Sequence, residues 1–279
     1  MVASICVENE SSKTMTKELL NVVVTAREEQ GVGIAVFELS SQSGDALPEF
    51  SAGAHIDVHV SSDLVRQYSL CNKPKVNEHY RIGVLSEPKS RGGSLQIYQD
   101  FNVGKVIKVS EPRNLFELDD KAECSLLIAG GIGITPLIAM AYELESKGKA
   151  FQLNYCMRSR GVGAFVEELE EQFPGKVICH YDDEDEAQLF SPEETFKHQD
   201  VATHIYVCGP SGFMDWVINA ATSANYPKQQ IHFEYFNKTV DVSGMDFEVH
   251  CAKSDVTVSV GEQQTIVQAL AAAGIKVDV

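Results

Sequence analysis

Near residue 124 the chain changes its pattern, and that change restricts the folds open to it. Upstream, over residues 18–115, the apolar segments are short, β-branched and separated by turn residues: "LLNVVVTAREE", "GIAVFELSS", "AHIDVHVS", "VRQYSLCN", "EHYRIGVLSE" and "GKVIKVSEP". Strands of that length and spacing point to an antiparallel barrel or sandwich. Downstream, "CSLLIAG" reads as a buried parallel strand, followed by a glycine turn and the helix "PLIAMAYELESKG". The strand "AFQLNYCMR", the helix "FVEELEEQF", the strands "KVICHY" and "THIYVCGP", the helix "SGFMDWVINAATS" and the strand "IHFEYF" follow. Alternation of this kind implies a parallel sheet with crossover connections.

The last stretch, "FEVHCAKSDVTVSVGEQQTIVQALAAAGIKVDV", has the rhythm of two strands and an amphipathic helix closed by Gly274. Two strands and one helix bury too little apolar surface to stand alone. The expected division is a flexible leader over 1–17, a β-barrel over 18–118, an α/β domain over 119–236, a linker over 237–245 and an incomplete unit over 246–279.

Charge narrows the partners. Lys and Arg number 23 against 40 Asp and Glu, a net charge of −17. Nucleic acids and anionic membranes repel such a chain, whereas a basic protein surface does not. The longest apolar run, "CSLLIAGGIGITPLIAMA", is interrupted by glycines and a proline, and the first residues lack a signal-peptide pattern. The seven cysteines, at 6, 71, 124, 156, 179, 208 and 251, form no CxxC pair. Reduced, mostly buried thiols in a cytoplasmic protein are expected, with no metal ligand set in this chain.

Four short stretches carry chemistry, each with a plainer structural alternative. "AGGIGITP", Ala129 to Pro136, joins a buried strand to a helix, where free backbone N–H groups attract phosphates; it would also serve as a tight turn alone. "VCGPSGFM" sets Cys208 at the carboxyl end of a central strand, the ligand rim of open α/β sheets, although a buried structural cysteine also fits. In "RQYSLCN", Arg66, Tyr68 and Ser69 are expected on one side of a strand, suited to a phosphate, a flat ring and a ring nitrogen, or simply to water. "SRGGSL" is a glycine turn entering a helix, an anion site or only a turn.

In this order, and with "EPRNLFEL", "HYDDE" and "IHFEYF", these stretches resemble the ferredoxin reductase-like flavoproteins of the phthalate dioxygenase reductase and vanillate demethylase reductase type. The resemblance runs from about residue 18 onward. It implies an FMN-binding barrel, a pyridine-nucleotide domain and a plant-type 2Fe–2S ferredoxin domain of β-grasp form. The C-terminal stretch then looks like the first hairpin and helix of that ferredoxin domain, cut before its cluster ligands, so that this chain holds no ligand for the 2Fe–2S centre of the full-length protein.

The resemblance also assigns residues. Arg66 is implied near the FMN phosphate, Tyr68 and Ser69 against the isoalloxazine, and Val84, Leu85 and Ser86 along its border. Gly92, Gly93 and Ser94 close on the phosphate, and Thr135 meets the flavin from the nucleotide domain. Phe236 covers the nicotinamide side. Gly130, Gly131, Cys208, Gly209 and Pro210 line the NAD(P)H channel, with Arg158 at the adenosine ribose. Cys208, Ser69 and Phe236 are the residues expected at the reacting atoms. NADH is favoured by the likeness, although Arg158, Ser159 and Arg160 offer no acid to repel a 2′-phosphate. The implied activity is a reductase that moves hydride from NAD(P)H to FMN and single electrons to a Rieske-type oxygenase, acting as a monomer. An FAD-bearing ferredoxin reductase and a non-catalytic redox-sensing module are the alternatives.

Overall fold

The structure, a computed structural model, describes residues 19–87, 92–185, 188–197, 200, 202–236, 246–252, 254–262 and 264–275. The expected leader and linker, and Ser90 and Arg91 of the glycine turn, lie outside the described residues.

Seven antiparallel strands form the first sheet: β1 (Leu20–Glu29), β2 (Ile34–Ser41), β3 (Ala54–His59), β4 (Val65–Ser69), β5 (Tyr80–Leu85), β6 (Val106–Val109) and the two-residue β7 (Arg113–Asn114). Their order is β4-β3-β6-β1-β2-β5, with β7 added to β3. The two ends of that row meet where Leu70 bridges Ile82 and the Cys71 N–H donates to the Arg81 carbonyl at 2.9 Å, which closes the sheet into a barrel. Alternation explains the interior: Val22 and Val24 of β1, Ile56 and Val58 of β3 and Ile82 and Val84 of β5 are all fully buried. The helix α1 (Gly93–Asp100) follows β5 and buries Ile97, with Phe101 just beyond its end.

The second sheet is wholly parallel: β8 (Cys124–Gly130), β9 (Ala150–Met157), β10 (Val177–Tyr181), β11 (His204–Cys208) and β12 (Ile231–Glu234), in the order β10-β9-β8-β11-β12. Crossovers run through α2 (Ile134–Ser146), α3 (Val166–Gln172), α4 (Pro192–Lys197) and α5 (Ser211–Ser223). β8 is buried on six of its seven residues, as a central strand covered on both faces must be. The strand order reverses between β8 and β11, the switch point where open α/β sheets take ligands. α2 begins at Ile134, two residues before the expected Pro136, because Gly131–Gly133 forms a 3₁₀ turn that leads directly into it. Pro136 still falls in the first turn, where its missing N–H leaves no intrahelical bond unmade.

Both sheets lie in one compact unit, Lys17–Asn237, and one apolar core runs through them from Val22 and Phe37 to Tyr206 and Cys208. Arg81 on β5 binds both oxygens of Glu168 on α3, at 2.8 and 2.7 Å, with the Phe165 ring beneath its guanidinium. Separately, β13 (Phe247–Cys251) and β14 (Val256–Val260) pair as an antiparallel hairpin, followed by α6 (Ile266–Ala272). Thr265 and Gln268 form a reciprocal capping box at the start of α6. Val258, Val260, Ala269 and Leu270 are the buried residues of this small unit.

Two features differ from the sequence reading. β7 and α4 carried too short an apolar pattern to be recognised. The cysteines are less buried than expected: of the six described, all free, Cys71 and Cys208 are buried and Cys124, Cys156, Cys179 and Cys251 are half-buried, since they sit near strand ends or on the edge strand β10. No helix among the described residues is long and apolar enough to cross a membrane.

Gly53 precedes β3 with φ +91, and a Cβ there would stand 1.9 Å from the Phe116 carbonyl oxygen. Gly53→Ala therefore combines left-handed strain with a backbone clash, and urea denaturation is expected to show a loss of about 2–4 kcal/mol.

Candidate functional site between the two sheets

The site is built where the carboxyl ends of β8 and β11 approach each other and the barrel. Gly133 lies so close to β11 that a Cβ would be 2.3 Å from the Cys208 carbonyl oxygen. At Gly130 and Gly209 the obstacle is the Phe213 ring, 2.8 and 2.9 Å from an added Cβ. Only glycine fits, so "GGIGITP" and "CGPSGF" are two halves of one contact. Gly131, with φ +52, makes the turn, and Pro210 precedes α5 in an extended conformation. Cys208 is fully buried, paired in register with Ala129 on one side and Glu234 on the other. Burial, reinforced by Glu234, pushes its thiol well above the usual range, so it stays protonated.

From the barrel side, Arg66 lies against α1: a Cβ at Gly93 would be 2.6 Å from Arg66 Nε. Gly92 caps the helix in the left-handed region, φ 90, and Ser94 occupies the first turn. A guanidinium laid across the opening turn of a helix combines a cation with N–H groups that project from the helix N-terminus, the arrangement that holds a phosphate. Arg66 also donates to its neighbour's carbonyl, Val65 O, at 2.8 Å. Tyr68 is half-buried; burial pushes its hydroxyl up to about 12 despite the opposing Arg66 charge.

Ser69 departs from the expectation that it shares a side with Arg66 and Tyr68. Adjacent strand residues face opposite ways, and Ser69 is buried with its hydroxyl donating to Glu234 Oε2 at 3.4 Å. Arg66 and Tyr68 pair across β3 with Val58 and Ile56, Ser69 with His55. Val84 points into the barrel core, so only its backbone can border a ligand; the Ser86 N–H is already bonded to Gly33 O at 2.7 Å, and Leu85 is half-buried. Thr135 is buried, its hydroxyl donating to Ile132 O at 3.1 Å and its methyl against Gly83 of β5. Phe236, just past β12, is exposed. Arg158 follows β9 and is exposed.

Glu234 and His55 are site residues that the sequence reading passed over. Glu234 ends the strand β12, and burial pushes its carboxyl up to about 7, with the Ser69 hydroxyl pulling the other way. An acid inside "IHFEYF" was the available signal. Asp182 was also missed in this role: its N–H donates to Met157 O at 2.9 Å, so the exposed acids after β10 sit beside the end of β9.

The chain is similar to several known proteins over most of its length. A family model described as the N-terminal domain of dimethylamine monooxygenase subunit DmmA-like proteins matches residues 105–231. A vanillate O-demethylase oxidoreductase from Pseudomonas sp. strain HR199 is 41% identical over 264 residues, covering 94% of this chain and 83% of that protein. A solved phthalate dioxygenase reductase, described as a modular structure for electron transfer from pyridine nucleotides to 2Fe–2S, superposes with a TM-score of 0.76 at 33% identity, covering 94% of this chain and 82% of its own. An intact type IV self-sufficient cytochrome P450 monooxygenase superposes at 0.83 with 32% identity over 97% of this chain, which spans 36% of that longer protein.

Because the folded carboxyl of Glu234 holds its proton up to about 7 and an unfolded one does not, the native state binds more protons over that interval. Its contribution to stability is full below the ordinary carboxylate range and falls as pH rises to about 7. Glu234→Gln is expected to gain stability relative to the parent at pH 8 over pH 4, on the order of 2 kcal/mol, by denaturation at both values.

Proposed function

The chain belongs to the oxidoreductase family of the vanillate O-demethylase and phthalate dioxygenase reductases, the reductase components of oxygenase systems, and on that premise we propose that it moves hydride from NADH to FMN and single electrons, through a 2Fe–2S centre, to an oxygenase component. The observation that carries the cofactor assignment is the Arg66 guanidinium lying on Gly93 at the start of α1. That contact suits a terminal phosphate, as FMN has.

In this reading Arg66, Gly92, Gly93 and Ser94 hold the phosphate, and Tyr68 packs along the isoalloxazine. The backbone of Val84, Leu85 and Ser86 and the side of Thr135 border the ring. Phe236 shields the face that the nicotinamide takes, and must swing aside when it arrives. Gly130, Gly131, Gly209 and Pro210 line the nucleotide channel, where Gly131 leaves open space beside its backbone. Bound there, the flavin supplies the conversion of a two-electron hydride into single electrons. Cys208, kept a neutral thiol, gives the nicotinamide an uncharged, polarizable edge. Ser69 holds its proton on the Glu234 carboxyl, so a hydroxyl with a defined hydrogen-bond direction borders the reacting centre. We further assign the protein to the cytoplasm, a reading supported by its free, scattered cysteines, and take it to act as a monomer.

Arg66→Ala is expected to release flavin rather than slow chemistry alone. Loss of a charge-assisted phosphate contact, roughly 1.5–3 kcal/mol, corresponds to about one to two powers of ten in affinity. Arg66→Lys should recover only part, because an ammonium lacks the planar fork. FMN fluorescence on dissociation measures both, with circular dichroism as the folding control; FMN held as tightly by the alanine variant removes the assignment.

Nucleotide choice follows from the ends of β9 and β10. Arg158 and Arg160 attract a 2′-phosphate, whereas Asp182 and Asp183, brought alongside by the Asp182–Met157 bond, repel it and accept ribose hydroxyls. NADH is expected to give the higher kcat/KM, and Asp182→Ala together with Asp183→Ala to narrow the ratio. A clear NADPH preference of the parent would refute the nucleotide assignment.

A further inference from the structure

His55 is a buried imidazole with both ring nitrogens unpaired. The ring is 4% exposed, and neither Nδ1 nor Nε2 has a hydrogen-bond partner among the described residues. It stands on β3 directly opposite Ser69 of β4, with Arg113 of β7 paired on its other side. Its Nδ1 lies 3.8 Å from Oε1 of Glu234, whose other oxygen, Oε2, receives the Ser69 hydroxyl. A neutral imidazole carries one donor and one acceptor nitrogen, and burying both unsatisfied is costly. Side chains in that state are uncommon and call for a partner. Hydrogen bonds at catalytic sites are often long until a ligand closes the site.

We propose that His55 is a positioning residue whose Nδ1–H holds Oε1 of Glu234, so that Oε2 remains on Ser69 and the carboxyl keeps one orientation beside the reacting centre. The groups facing this contact are Asp57 on β3, Arg113 on β7, Ser69 on β4, Cys208 on β11 and Glu234 on β12. Burial and Arg113 hold the imidazole neutral against the pull of Asp57, and Arg113 is itself occupied by Asp57 Oδ1 at 2.7 Å. The Cys208 thiol is neutral. His55 therefore acts as a neutral donor, and a donor to a carboxylate favours its charged form. Burial alone would hold the proton on Glu234 to a higher pH than the pair does.

The contact is a property of the polypeptide; its consequence for turnover rests on the reading of the site given under the proposed function. The test follows the side-chain carboxyl of Glu234 by carbon-13 NMR against pH in the flavin-free and flavin-loaded protein, the resonance being identified by its disappearance in Glu234→Gln. In His55→Phe the titration midpoint is expected to rise by about one pH unit. His55→Asn, whose amide nitrogen replaces Nδ1–H, should return it to near the parent value. The pH profile of kcat for NADH-driven ferricyanide reduction should shift with the NMR midpoint in the loaded protein. Should the larger phenyl ring not be accommodated, as judged by circular dichroism, His55→Ala removes the same donor. A midpoint that stays or falls on loss of the imidazole, or an asparagine variant that behaves like the phenylalanine one, overturns the proposal. A parent protein without flavin turnover would defeat the functional reading alone, because the flavin-free NMR arm still decides the role of His55.

Discussion

The close approach of two backbones across the seam between the sheets is the constraint on which the rest depends. Two barrel glycines face it. A Cβ at Gly31 would be 2.8 Å from Val162 O and at Gly83 2.9 Å from the Thr135 methyl. Two others make an equally close approach within one part, Gly53 of the barrel, 1.9 Å from Phe116 O, and Gly133 inside the parallel sheet, against Cys208. Where side chains are excluded in this way, strands and turns pack at the distance of main chains, and the apolar core continues from barrel to sheet without a break. The Arg81–Glu168 ion pair, in which Nη1 bonds both carboxylate oxygens, adds a charge-assisted link to that packing.

The same seam explains why polar groups gather there. Ser69 and His55 lie on the outward side of the barrel, Glu234 and Cys208 at the rim of the sheet; Ser69, His55 and Cys208 are buried and Glu234 is half-buried. Burial then sets their chemistry. It holds the thiol protonated, the imidazole neutral and the carboxyl near the point where it exchanges its proton at neutral pH. A chain bearing a net charge of −17 thus has a site with little fixed charge at its centre. Cation is supplied at one end, by Arg66 over α1, where a phosphate is the proposed guest.

Much of this was legible from residue order. The strand-only pattern up to residue 115 and the alternation after 124 specify an antiparallel barrel or sandwich followed by a parallel sheet, because apolar periods of two and of three to four bury different faces; closure into a barrel is decided by the Leu70–Ile82 bridge. The glycine turns after β8 and β11 were recognisable as tight strand–helix turns, and the structure brings them together at the switch point of the parallel sheet. Adjacency was misjudged at Ser69: its closeness in sequence to Arg66 and Tyr68 suggested one face, whereas the two-residue period of a strand sends it to the other.

What the sequence by itself determined is therefore local: element type, the order of elements, and the residue kinds at each turn. The tertiary structure alone decided which of those residues meet. Ser69 and Glu234 are separated by 165 positions and touch because β4 closes the barrel against the sheet's rim. Glu234 has its raised proton affinity, and His55 its two unbonded nitrogens, only because a second sheet removes water from the first. Desolvation is a property of the assembled surface, and no pattern along one strand encodes how deeply another will cover it.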